Sequence, residues 1–109
     1  MNGSITNLRV LNVELKYRLT LKPQEIPFDH PDSKYFFTTE PFLATPSAMD
    51  AYGLEVISCC LVYLQKQARQ YKGLDYLQVF EDLEKKRSNL WFIDDGKGGA
   101  TTALLPEDY

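Results

Sequence analysis

The sole histidine, His30, sits between Asp29 and Asp32. An imidazole and two carboxylates this close are the smallest set from which a divalent-metal site could start. A metal-assisted hydrolase would use Asp29, His30 and Asp32 to hold an ion that activates water. The competing reading is a solvated turn, because one histidine and two flexible acids leave most coordination positions unfilled. Asp94-Asp95 offers two further carboxylates, but neighbours on a strand point to opposite sides. Gly96-Lys97-Gly98-Gly99 has the glycine content of a phosphate cradle without its frame. A P-loop needs wider glycine spacing, a Lys followed by Ser or Thr, and a helix behind it; here a β-like run follows.

With one histidine, a nucleophilic triad or a zinc centre is hard to assemble, and scattered acid pairs are too generic to assign acid–base work. The two cysteines, Cys59 and Cys60, are adjacent. On a helix such neighbours diverge by about 100°. They are poorly placed to bond each other, so they read as small apolar filler in a chain suited to a reducing cytosol. The expectation is a protein that is not an enzyme, with no catalytic residue, cofactor or metal assigned.

Binding is the remaining class. Aromatic residues make up 13% of the chain, as seven Tyr, six Phe and one Trp, more than a minimal core needs. Rings and arginine are the usual anchors of interfaces. Tyr35, Phe36 and Phe37 are consecutive on a predicted strand and must point to both of its sides; Trp91 and Phe92 repeat the pattern. With Arg69, Lys85, Lys86 and Arg87 they form the expected partner-facing set. The same bases, with Lys66 and Lys72, also suggest a local nucleic-acid patch. A net charge of −3 and a pI near 5.1 disfavour that alternative.

These residues must be positioned by a scaffold whose organising element is a helix over residues 47–71. Met49, Val56, Ile57, Cys60, Leu61, Leu64, Ala68 and Tyr71 recur three or four apart, giving one buried face. Thr45 followed by Pro46 fits an N-cap with proline in the first turn; Ser47 with Asp50 is the alternative. Gly53 marks either close passage of a strand or a helix that firms up only after it. Gly73 reads as the left-handed stop.

Around the helix the pattern is β. Val13, Leu15, Tyr17, Leu19 and Leu21 alternate with polar residues as a first strand over residues 13–21. Residues 22–33, with Pro23, Pro27 and Pro31, form a long loop of the kind that is often functional or mobile. Residues 34–40 read as a second strand and residues 41–46 as a turn. Residues 74–81, 90–94 and 101–105 read as three more strands. A charged loop over residues 82–89 and an Asp95-Gly96 hairpin turn connect them.

The class is therefore α+β in a single domain over residues 1–109. It is a mostly antiparallel sheet of about five strands packed against one long helix, in the order β-β-α-β-β-β. No apolar leader opens the chain and no apolar run approaches the ~20 residues that span a bilayer, so a cytoplasmic protein without membrane contact is expected.

Three strings carry a family resemblance: Asp75-Tyr76-Leu77-Gln78-Val79-Phe80, then Phe92-Ile93-Asp94-Asp95-Gly96, then Leu104-Leu105-Pro106-Glu107-Asp108-Tyr109. With Lys34-Tyr35-Phe36-Phe37-Thr38-Thr39, they make residues 34–109 similar to a small uncharacterised bacterial and mobile-element family, domain of unknown function nine-sixty. That family brings no catalytic residues. Its context implies a phage or mobile-element accessory protein that docks on a host protein complex and inhibits a defence nuclease of the CRISPR type.

Overall fold

The computed structural model describes residues 10–13, as backbone, and residues 17–109. Its strands are β1 (Val10–Val13), β2 (Tyr17–Leu21), β3 (Phe42–Ala44), β4 (Leu77–Asp82), β5 (Leu90–Asp94) and β6 (Thr101–Leu104). One helix, α1 (Pro46–Tyr71), joins β3 to β4, and a 3-10 turn, Pro106–Asp108, follows β6. The class is α+β: one mixed sheet packed against one long helix.

The six strands lie in the order β1-β2-β4-β5-β6-β3. Every pairing is antiparallel except β3 with β6. The meander expected of the last three strands is β4-β5-β6, with Val79 opposite Trp91 and Trp91 opposite Leu104.

Two strands lie elsewhere than the pattern suggested. The alternation over residues 13–21 belongs to a hairpin, with Val13 paired to Tyr17. Residues 14–16 of the expected strand and the polar start at residues 1–6 lie outside the described residues.

Nor do residues 34–40 form a strand; they contribute only a bridge between Tyr35 and Leu74. Phe37 has a left-handed backbone, φ 59°, which ends any extended run there. Side chains satisfy its backbone in place of a ladder: its N–H donates to the Asp94 carboxylate at 3.0 Å, and its carbonyl accepts from Gln65 Nε2 at 2.9 Å. The edge strand is instead β3, Phe42–Ala44, inside the segment read as a turn.

In α1, Thr45 is the N-cap, and its Oγ1 accepts from the Ala48 N–H at 3.2 Å. The Asp108 carboxylate tightens this end, accepting from the Thr45 and Ser47 hydroxyls at 2.7 and 2.6 Å and from the Leu105 N–H at 2.9 Å. The Ser47 hydroxyl, then the Leu105 N–H and Thr45, hold its pKa below the usual carboxylate range. A negative charge at this pole also complements the helix dipole.

Gly53 interrupts the helix with φ 83° and ψ 158°, and nothing lies within 4 Å of where its Cβ would be. The glycine is there for backbone conformation, not for a crossing strand. The break resets the phase of the first turns. Ala48 and Tyr52 face the core and Met49 faces out, after which Val56, Ile57, Cys60, Leu64 and Ala68 continue the buried face.

At the far end Lys72, φ 62°, is the C-cap, and Gly73 after it also has a positive φ, 121°. Gly73 meets a second need as well: a Cβ there would stand 2.4 Å from the Ser33 carbonyl oxygen. By length and composition α1 is apolar enough to cross a bilayer, contrary to the expectation of no such run. One side of it packs on the sheet, as in a core helix.

The core fills the space between α1 and the facing side chains of β2, β4, β5 and β6. Leu19, Phe80, Leu90, Phe92 and Ala103 are fully buried there. Phe80 meets Phe92 edge-on with ring centroids 5.7 Å apart, and Tyr63 of α1 meets Phe80 at 6.2 Å. Burying a side chain such as Leu64 or Phe92 contributes roughly 1.5–3 kcal/mol each.

Candidate functional site

A pleated strand sends alternate side chains to opposite faces. While Gln78, Phe80 and Asp82 of β4 turn toward α1, Leu77, Val79 and Glu81 turn away. Register carries the second face across the sheet: Val79 lies beside Trp91 and then Leu104, and Leu77 beside Ile93, Thr102 and, on β3, Leu43. That face is apolar along two rows. Ile93 and Leu104 are nearly buried by their neighbours, Leu77, Val79 and Trp91 are half-buried, and Leu43 is 49% exposed.

A hollow of about 410 Å³ opens on this face. Leu77, Val79 and Trp91 form its floor, Tyr76 one wall, and Lys22, Glu25, Asp75 and Asn89 its polar rim. Tyr109 stands against Trp91 with ring centroids 5.6 Å apart. Tyr76 meets Tyr35 edge-on at 6.5 Å, and the Lys34 ammonium lies 5.7 Å from the Tyr35 ring. Aromatic anchors over an apolar floor with a polar rim is the anatomy of a protein-binding patch.

The rim is wired into the proline-containing loop. Gln24 Oε1 accepts from the Asp75 N–H and from Gln78 Nε2, both at 3.0 Å. Gln24 Nε2 donates to the Ile26 carbonyl at 2.7 Å and to Ser33 Oγ at 2.9 Å. Ser33 Oγ donates in turn to the Pro27 carbonyl at 2.8 Å. Burial raises the Asp75 pKa above the ordinary aspartate value, against the lowering effect of the Tyr76 N–H it accepts at 2.8 Å.

The expected partner-facing residues divide. Phe37 and Phe92, at 1% and 0% exposure, are core and present nothing to a partner. Phe36 is the outward ring of its triplet at 39% exposure, Tyr35 is half-buried beside Tyr76, and Trp91 lies in the hollow.

The cations are separated. Arg69 is exposed in the last turn of α1, whereas Arg87 lies at the other end, with its guanidinium 5.9 Å from the ring of Tyr52. At 1.5 Å per residue, Tyr52 and Arg69 are roughly 25 Å apart along the axis. Lys85, Lys86 and Arg87 each face an acid: Lys85 pairs with Glu81, Lys86 with Glu84 at 3.2 Å, and Arg87 with Asp82 at 3.3 Å. The bases therefore do not form one open patch of positive charge.

Arg87 is a structural residue. Its guanidinium also lies 4.3 Å from the Tyr17 ring centroid. Asp82, 2% exposed, accepts from the backbone N–H groups of Glu84, Lys86 and Arg87 at 3.0, 3.1 and 3.2 Å. Burial pushes the Asp82 pKa up, but these N–H groups and the Arg87 charge outweigh it and hold it below the usual value.

His30 is exposed in the loop, and its Nδ1 accepts from the Asp32 N–H at 3.0 Å. Among the described residues, no group of three or more His, Cys, Asp or Glu side chains gathers in a way that could hold a metal ion. Asp94 is committed to the fold: besides Phe37 it accepts from the Gly96 N–H at 2.8 Å. Cys60 is buried, with its thiol pKa raised by desolvation, and Cys59 is exposed on the outer side of α1.

Tyr76, Leu77, Val79, Asn89 and Gln24 line the hollow and are not in the partner-facing set expected from sequence. The alternation of residues 74–81 held the signal for Leu77 and Val79, because it leaves two apolar side chains on the face away from Phe80. Compared with protein-family models, with curated proteins and with solved structures, the chain matches none.

Proposed function

We propose that this chain is a non-enzymatic protein-binding module that docks a partner on the sheet face turned away from α1. The observation that carries the reading is the hollow over Leu77, Val79 and Trp91, apolar at its floor and polar at its rim. Exposed apolar surface with that arrangement is what a protein partner covers. The narrower reading, a phage or mobile-element protein that inhibits a CRISPR-type nuclease complex, draws its support from the resemblance of residues 34–109. An inhibition assay on such complexes tests it, and full nuclease activity at saturating protein would refute it.

The docking reading is tested by affinity capture from bacterial lysates with quantitative mass spectrometry. Wild type is compared with Leu77→Glu and with the outer-helix control Lys66→Glu, each first checked for native circular dichroism. A stoichiometric partner should be retained by wild type and control and lost about tenfold or more from Leu77→Glu. Equal retention by all three, or free protein alone from several hosts, would contradict it.

A further inference from the structure

A second concavity, about 310 Å³, lies between the proline-containing loop and the last turns of α1. We propose that this cleft binds a proline-rich segment of a partner protein in the polyproline II conformation.

Its walls suit pyrrolidine rings. Tyr63, Tyr71, Phe28 and Pro23 line it, and Phe28 and Tyr71 stack with centroids 4.1 Å apart and planes 11° from parallel. Aromatic-lined grooves are the recurring receptors of polyproline II segments, whose preformed helix lowers the ordering cost of binding.

The hydrogen-bonding groups match the same ligand. A polyproline II backbone has no internal hydrogen bonds, so its carbonyls need donors from outside. Gln67 and Gln70 supply them. They lie three apart on one side of α1, both line the cleft, and neither side chain has a hydrogen bond among the described residues. Lys22 adds an ammonium at the margin.

The floor holds one acceptor. Gln78, 2% exposed, gives its Nε2 hydrogens to Gln24 Oε1 and to the Asp75 carbonyl, both at 3.0 Å. Its Oε1 has no partner among the described residues and can take one backbone N–H. The ligand is thus a run of prolines broken by at least one residue that keeps its N–H. No Asp or Glu lines the cleft, so nothing selects a cationic ligand. The volume is at the small end of ligand sites, which run ~300–1,000 Å³, and fits a short stretch of chain. The cleft and the sheet-face hollow share only residues 22–24, and this inference holds whether or not the hollow docks a partner.

The test is a titration followed by nitrogen-15 NMR. The probes are a peptide of three Pro-Pro-Ala repeats, a Gly-Ser-Ala peptide of equal length, and maltotriose, since a neutral sugar also uses rings and amides. The proline peptide should give saturable shifts at the Gln67 and Gln70 side-chain amides and leave the Trp91 indole unmoved. A Gln67→Ala/Gln70→Ala variant with unchanged circular dichroism should lose affinity about tenfold or more. No shift at millimolar peptide, an equal response to the Gly-Ser-Ala peptide, a response to maltotriose alone, or full affinity in the double variant would each overturn the proposal.

Discussion

At the scale of single residues, two buried aspartates respond to pH in opposite directions. The Asp82 carboxyl is held below its ordinary pKa. It therefore contributes stability above the unfolded value near pH 4, and that contribution is lost as pH falls through the lower folded value. Replacing Asp82 with Asn should cost about 1–3 kcal/mol in urea unfolding at pH 7. The difference should narrow in acid. The Asp75 carboxyl is raised. Its stabilising form is the protonated one, so stability is lost as pH rises through its folded value. Asp75→Asn, which keeps an acceptor for the Tyr76 N–H, should raise the melting temperature at pH 7, and the gain should vanish below about pH 4. A lower melting temperature at pH 7 would show that the charge is needed. Neither role was legible in the sequence, where both acids lie among ordinary strand and loop residues. Gly73 was half legible: its position at the end of α1 was clear, but its crowding against Ser33 arises from a loop forty residues earlier in the chain.

At the scale of elements, Gly53 decides how α1 is built. In an uninterrupted helix, Gly53→Ala would stabilise by roughly 1 kcal/mol. With φ at 83° and ψ at 158°, a conformation that only glycine tolerates well, the same change should destabilise by about 1–3 kcal/mol despite the empty space around it. Chemical denaturation separates the two by sign. The helix, its N-cap and the β4-β5-β6 meander were legible because each is written in local periodicity and capping. The β1-β2 pairing was not, because the apolar-polar alternation of the sequence runs unbroken from Val13 to Leu21 and reads as one strand. β3 was displaced from the expected strand because Asp94 and Gln65, distant in sequence, satisfy the Phe37 backbone.

At the scale of the molecule, the sheet has two apolar faces and α1 packs on one of them. The count of rings indicated a surplus but not its location. Phe37 and Phe92 went to the core and Trp91 to the other face, a division set by long-range pairing and by which face receives α1. The same pairing gathers Leu77, Val79 and Trp91 from two strands into one hollow. The most direct test is photocrosslinking in cells with benzoylphenylalanine placed singly at Leu77 and, on the outer side of α1, at Val62. A partner docked on the helix-free face should crosslink through position 77 and not through position 62; crosslinks from 62 alone, or equally from both, would contradict the assignment of that face.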